Sequence, residues 1–324
     1  MHSHQVVRSQ GIDTSDAVRH ASAFNCYDSN KINLLSPCGQ FTGHVSMKMI
    51  TPQIQIMRDH GFTRIAENLS GIPENRVCIT LIDSPDPIFY DGRMFRKGML
   101  HVCSGETIQL VARNYVSGYV ISIDKKHFNQ QLHNSGSAIG VCGKNFERYL
   151  QLSPEAFLKL KYYLDEMLAF NPSDSFNEES FSLQLFSLIF SPDLKLCSAD
   201  DASTRGFIVN KSCKTIMKHF TDSEFSIGDL IPLLRTSRRS VQYSFQDILG
   251  MNPSTYLRYI RLNVARASLL STKTDQINQI AIESGFSHVS RFSQYYRDFF
   301  GELPSQTLKS LSKDSHFGNR VIWL

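Results

Sequence analysis

Apolar and polar positions follow two different rhythms along this chain. Between Gly43 and Ile123 they tend to alternate, which is the period of a half-buried strand. Val45, Met47 and Met49 form one such run, and Ile54 and Ile56 begin another after a break at Thr51-Pro52. Further runs lie at 77–82, 99–102, 108–112 and 119–123, separated by turn-like stretches at 83–86, 90–92 and 103–106. Short strands at this spacing predict a small barrel or jelly roll. The first 40 residues show little periodicity and predict irregular structure. After 135–143 the period becomes helical. A stripe of Phe157, Leu160, Tyr163, Leu164 and Met167 predicts a helix over 154–169, and Phe181, Leu185 and Leu188 predict a second over 178–190.

The back half repeats itself with an offset of 51 residues: Leu230 to Ser254 reads LIPLLRTSRRSVQYSFQDILGMNPS, and Ala281 to Ser305 reads AIESGFSHVSRFSQYYRDFFGELPS. Ile231 meets Ile282, Asp247 meets Asp298, Gly250 meets Gly301 and Pro253 meets Pro304. Each unit reads as a short helix, a tight turn and a second amphipathic helix closed by Gly and Pro, the layout of a helix-turn-helix. In the first unit Val241, Phe245, Ile248 and Leu249 share one arc, leaving Arg239, Gln242, Tyr243 and Gln246 on the other side. In the second, Phe292, Tyr296, Phe299 and Phe300 form the stripe, leaving Ser290, Arg291, Gln294 and Arg297 outward. Such a helix offers guanidinium groups to guanine and amides to adenine in the major groove. Ser237 is placed to cap the first recognition helix, and Ser287 or His288 the second. Between the units, 255–271 carries Leu257, Ile260, Val264 and Leu269 at near-helical spacing. As a helix it is a rigid spacer of ~25 Å.

These residues resemble the DNA-binding domain of AraC/XylS-type transcription regulators. The resemblance rests on IAIESGFSHVSRFSQYYRDFFGELPS and on the spacer YLRYIRLNVARASLL, with Arg261, Leu262 and Ala265 in the usual places. It covers about a third of the chain, and SRRSVQYSFQDILG, His288 and ELPSQTL look most like the branch of ethanolamine-utilisation activators. The resemblance implies base reading by Arg239, Gln242 and Tyr243, then by Ser290, Arg291 and Gln294, in two adjacent major grooves of double-stranded DNA. Ser237, Arg238, Arg258 and Arg297 are the expected backbone contacts. It also implies a cupin-like front domain that binds a small-molecule effector or dimerises, and contact with RNA polymerase. The first unit departs from the family pattern: Ile231 replaces a small residue, Arg235 the turn glycine, and Pro232 sits inside the first helix. A kinked or late-starting first helix is therefore expected.

The fold class is α+β and multidomain: a mainly-β, cupin-like sensor with trailing helices over 1–197, a linker at 198–204 within a turn-rich stretch at 191–204, and an all-α domain over 205–324. Its helix-turn-helix units lie at about 227–252 and 277–303, joined by a linker helix. Charge sharpens this division. The 324 residues carry a net +4, but from Arg205 onward 16 Lys and Arg face 9 Asp and Glu, a balance of +7 against −3 for the rest. A basic back half suits a polyanion. Arg258, Arg266 and Arg297 are expected on phosphates, whereas Lys211, Lys214 and Lys218 read as solvated. Asp247 and Asp298 are expected to support a turn or pair with an arginine.

Seven scattered cysteines with no CxxC pair indicate neither a zinc site nor a disulfide framework, and fit a reducing interior. No signal peptide or membrane span is evident, which makes a cytoplasmic protein the default. Enzyme readings find little support. His44, His60 and His101 read as structural, no GxSxG or HExxH occurs, and the Gly-rich stretch at 136–145 lacks the spacing of a phosphate loop. No cofactor is expected. The reading is a sequence-specific regulator, an activator answering to an effector. The alternatives are a regulator whose front half only dimerises, and a cupin-type enzyme fused to a DNA-binding tail.

Overall fold

Two 18-residue strands form the spine of the N-terminal half: β4 (Ile54–Gly71) and β9 (Thr107–Asp124) pair antiparallel from Ile54 opposite Ile123 to Gly71 opposite Thr107. The register shifts once, between Thr63 and Ile65. The computed structural model describes residues 10–37, 41–134, 146–170, 176–190, 194–196, 203–271 and 276–311. Residues 135–143, most of the expected linker and the Gly-rich stretch at 136–145 thus lie wholly or nearly so outside the described residues.

The spine strands are longer than the alternation predicts. Ile54 and Ile56 mark only the start of β4, and the runs at 108–112 and 119–123 belong to the single strand β9. Polar residues such as Arg58, Asp59 and His60 interrupt the apolar pattern while backbone pairing continues through them. Each spine strand also changes neighbours. β4 pairs first with β3 (Thr42–Met49) and then with β2 (Ser29–Leu34), while β9 pairs with β6 (Ile88–Tyr90) and then with β5 (Arg76–Ile82). β1 (Gln10–Thr14) adds outside β3, and β8 (Met99–Ser104), β10 (Phe146–Gln151) and β11 (Lys195–Leu196) extend from β5. β6 returns as β7 (Arg93–Phe95) through Asp91 and Gly92, whose φ values of 43° and 89° suit a two-residue hairpin turn. The N-terminal segment, expected to be irregular, holds β1, α1 (Ala17–Ser22) and β2. These elements are too short and too polar for a period to show.

Both faces of β5 and β8 are covered, which explains their near-continuous apolar sequence. Val77, Ile79, Leu81, Leu100 and Val102 face a core shared with Phe157, Leu160 and Leu164 of α3 (Pro154–Ala169) and Leu185 of α4 (Glu178–Ile189). The alternate positions Cys78, Ile82, Met99 and Cys103 pack with Tyr90, Phe95 and Tyr149. α3 has the predicted bounds and buries all five stripe residues. Among the helices not anticipated, α2 (Lys125–Asn134) follows β9 directly and buries Phe128 and Leu132. His101 is a core histidine, stacked 4.5 Å from Tyr149 and bonded to the Tyr90 hydroxyl at 3.0 Å.

From 203 on, the described residues form helices only: α5 (Thr204–His219), α6 (Ile227–Leu234), α7 (Arg238–Leu249), α8 (Pro253–Ser271), α9 (Ile277–Glu283), α10 (Val289–Phe300) and α11 (Pro304–Leu311). At 19 residues α8 spans ~28 Å. The expected late start of α6 is not found. The helix runs unbroken from a capping box in which Asp229 bonds back to Ser226, and Pro232 lies within it. Gly228, whose carbonyl loses the N–H of residue 232, and Pro232 itself are both exposed, so solvent can take up the freed acceptor.

Candidate nucleic-acid interface

The helix pairs α6–α7 and α9–α10 hold their second helices by the predicted stripes. Val241, Phe245 and Leu249 of α7 are buried and Ile248 partly so, as are Phe292, Tyr296 and Phe299 of α10 with Phe300 at the margin. Burying one stripe orients the opposite one. Arg239, Gln242, Tyr243 and Gln246 are exposed on α7, and Ser290, Arg291, Gln294 and Arg297 on α10. All six expected base readers therefore stand on the solvent faces of two helices.

The local chemistry differs between the pairs. Ser237 caps α7, its hydroxyl accepting from the Ser240 N–H at 3.0 Å. Arg239 lies over the Tyr243 ring at 5.2 Å, one turn away, and donates weakly to its hydroxyl at 3.4 Å. His288, the N-cap of α10, makes no side-chain cap bond. The turns also differ. α6 ends on Arg235 in the left-handed region (φ 50°, ψ 47°), which costs a non-glycine residue roughly 1 kcal/mol. The second turn uses Gly285 at φ 87°, where a Cβ would also meet the Phe220 carbonyl oxygen at 2.1 Å. With the 51-residue offset, Arg235 corresponds to Phe286 and Gly285 to Leu234, so the left-handed residue sits one position apart in the two turns. Gly250 and Gly301 end α7 and α10 in the left-handed conformation at equivalent positions.

The expected backbone cations separate into three kinds. Arg238 and Arg297 are exposed, Arg297 with a long approach of 3.8 Å to Asp298. Arg258 is half-buried and lies over the Tyr295 ring at 4.9 Å, joining α8 to α10. Arg266 corrects the expectation of a phosphate contact. It turns inward to Glu302 at 2.7 Å, over the Phe300 ring at 4.6 Å, because the end of α10 encloses it. Lys214 stays exposed, as expected, and also reaches Asp91 in the β6–β7 turn at 2.9 Å. Asp247 pairs with Arg205 at 2.9 Å, as an arginine partner. Arg261 has a role that the spacing of its sequence does not announce. Its guanidinium donates to the carbonyls of Phe220 and Asp222 at 2.8 and 2.7 Å and so holds the end of α5 to α8.

Two further features were not legible in the sequence. A cleft of about 600 Å³ opens between the N-terminal half and the helices, lined by Lys31, Ile32, Phe41, Val264, Ser268 and Phe300 among others. Beside it lies Glu67, fully buried. Burial raises its carboxyl above the ordinary range, against hydrogen bonds from Tyr256, Gln109 and Asn33 that favour the ionised form. Both features join segments more than 180 residues apart, so no local pattern could have revealed them. Among the described residues there is no group of three or more His, Cys, Asp or Glu that could hold a metal, and no helix long and apolar enough to cross a membrane.

Residues 233–310 match a family model described as a helix-turn-helix domain. The chain is 33% identical over 116 residues to the XylDLEGF operon transcriptional activator 2 of Pseudomonas putida, covering 34% of this chain and 74% of that relative. With the XylDLEGF operon transcriptional activator of the same organism it shares 38% identity over 91 residues, only 28% of either chain. Among solved structures, it is similar to the C-terminal domain of AraT, a response regulator from Geobacillus stearothermophilus (27% identity, TM-score 0.31, 33% of this chain and 88% of that one). It is also similar to ToxT from Vibrio cholerae O395 (18% identity, TM-score 0.31, 81% of this chain and 99% of that one). A helix-turn-helix match over the very helices that expose these side chains, with a transcriptional activator matched over most of its length, makes this chain a member of the AraC/XylS family of DNA-binding transcription regulators.

Proposed function

We propose that this protein is a sequence-specific transcriptional activator that reads two adjacent major grooves of double-stranded DNA. One observation carries the reading: two helices, each held by a buried apolar stripe, expose the six side chains suited to base edges. Arg239 and Gln242 read in the first groove with Tyr243 beside them, and Ser290, Arg291 and Gln294 read in the second. Arg238 and Arg297 contact phosphates directly. Arg258 does so from its place over Tyr295, and the N-terminus of α7, shaped by Ser237, offers backbone N–H groups. The division at 198–204, the helix-turn-helix character of both pairs and a place beside the ethanolamine-utilisation activators belong to the same proposal.

The N-terminal half is proposed as a cupin-like sensor in a cytoplasmic, non-enzymatic regulator that works with RNA polymerase. Its inner face is filled by Tyr90, Phe95, Tyr149 and their neighbours, which favours the cleft beside α8 as the effector site. Its volume falls within the range typical of small-molecule sites, and its lining mixes apolar walls with Lys31. The exposed Leu158 and Tyr162 on α3 give the dimerising alternative its surface.

Binding of the full-length chain to genomic fragments under a salt titration tests the DNA reading. Affinity falls as salt rises, with a slope set by the number of phosphate contacts. Arg291→Ala weakens operator binding by about 1–3 kcal/mol and relaxes preference at one base pair, whereas Arg297→Ala weakens all sequences alike. An Arg291→Ala variant that keeps full sequence preference would refute the base-reading role.

A further inference from the structure

The carboxylate of Glu67 on β4 accepts hydrogen bonds from three neutral donors on three other elements. Asn33 of β2 donates at 3.0 Å, the Tyr256 hydroxyl of α8 at 2.6 Å, and the Gln109 amide of β9 completes the set. A carboxylate withdrawn from water among neutral partners gains little net energy, and breaking one of its bonds leaves a buried charge short of donors. The Gln109 amide oxygen is itself buried without a partner. Hydrogen bonds linked in this way strengthen one another, so losing one weakens the rest.

The adjoining residue makes the next contact. Leu34 donates its N–H to Asn263 Oδ1 of α8 at 2.9 Å and accepts from Asn263 Nδ2 at 2.8 Å. Asn33, Leu34 and Asn263 all line the cleft. On the side of the first helix pair the junction is continuous. Leu35, Phe89 and Val111 share a core with Val209, Phe245 and Tyr256, Asp91 takes Asn210 and Lys214 at 2.9 Å each, and Gly206 packs against the Gly92 carbonyl. On the side of the second pair, Leu34 is the N-terminal residue found packed against its core, and the cleft occupies much of the remaining interface.

We propose that Glu67, Asn33 and Tyr256 form an interdomain clasp that makes the sheet and the first helix pair one body, against which an occupant of the cleft repositions the second pair, which meets the sheet through Leu34. The inference rests on the cleft being the effector site, and it gives that site a mechanism. α7 shares its core with the sheet, whereas α10 lends Phe299 and Phe300 to the cleft lining, so the relative placement of the two helices, which two adjacent grooves require, is what the occupant controls.

Hydrogen exchange on the full-length chain tests this without DNA or ligand. Tyr256→Phe keeps the ring against Phe245 and removes only the hydroxyl. Amides of α5 and of 256–263 in α8 are expected to exchange about tenfold faster in the variant, with α10 amides unchanged. Asn33→Ala should reach the same amides from the cleft side. Equal rates in parent and both variants, or acceleration spread evenly through α10 and α11, would overturn the clasp. Ser268→Trp places a large side chain in the cleft and is expected to alter exchange in α9 to α11 while sparing α5 to α7. If it leaves α9 to α11 unchanged while Tyr256→Phe behaves as expected, the cleft reading fails and the clasp stands. Neither outcome touches the DNA-reading assignment, which the operator measurements decide.

Discussion

The two helix pairs carry the same apolar stripe 51 residues apart, yet they are anchored in opposite ways. The first shares its core with the β-rich half through Leu35, Phe89 and Val111. The second builds its core almost entirely from its own helices and α8, with Phe292, Tyr296 and Phe299 packed on Leu262, Ala265 and Leu269. Their turns mirror this difference. Arg235 adopts a left-handed conformation that disfavours side chains, in a pair held from outside, whereas the self-contained pair uses Gly285. A helix pair supported by a neighbouring sheet can tolerate local strain that one resting on its own core cannot.

The comparison can be broken first at Gly285. Gly285→Ala faces a positive φ of 87° and a Cβ 2.1 Å from the Phe220 carbonyl oxygen, and is expected to cost more than about 3 kcal/mol. Chemical denaturation would register it as a loss of stability accompanied by loss of DNA binding. A variant as stable as the parent would mean that the second turn has another geometry.

Gly206→Ala ranks next. Its Cβ would lie 2.1 Å from the Gly92 oxygen, so α5 must back away from the β6–β7 turn at a cost of about 2 kcal/mol. The first pair should then loosen from the sheet while the second keeps its protection in hydrogen exchange. Loosening of both pairs together would remove the proposed asymmetry.

A smaller effect is expected from pH. The groups facing Glu67 are Asn33, Gln109, Cys213 and Tyr256, none of them cationic, and burial raises its carboxyl. Between the ordinary carboxylate range and that raised value the folded chain binds more protons than the unfolded one. The stability from this site is therefore fullest below the ordinary range and declines as pH rises through the raised value. Denaturation midpoints of Glu67→Gln measured across mildly acid to neutral pH should lack that decline. Retention of the parent's slope would assign it to other groups.

Arg235→Gly should have the least effect, relieving the left-handed strain for a gain of up to about 1 kcal/mol in thermal or chemical unfolding. A loss of stability would show that the arginine side chain holds the first turn in place.

The helical stripes of α3, α7 and α10 were legible because each helix buries one face and leaves the other to solvent along its whole length, which leaves a periodic trace. The spine strands were only partly legible. β4 and β9 change partners along their length, so the environment of a side chain is not constant enough to leave a period. The inward turn of Arg266 had no sequence signal either, since an arginine that meets Glu302 reads the same locally as one that meets phosphate.

The sequence by itself determined the two units, their stripes, the residues opposite those stripes and the positive balance of the back half, all of which depend on local periodicity and composition. Tertiary structure decided which arginines remain exposed, the joining of the first pair to the sheet, the cleft and the burial of Glu67. Those depend on which distant surfaces exclude water from one another. Asn33 and Tyr256 meet at one carboxylate although 223 positions separate them in the chain.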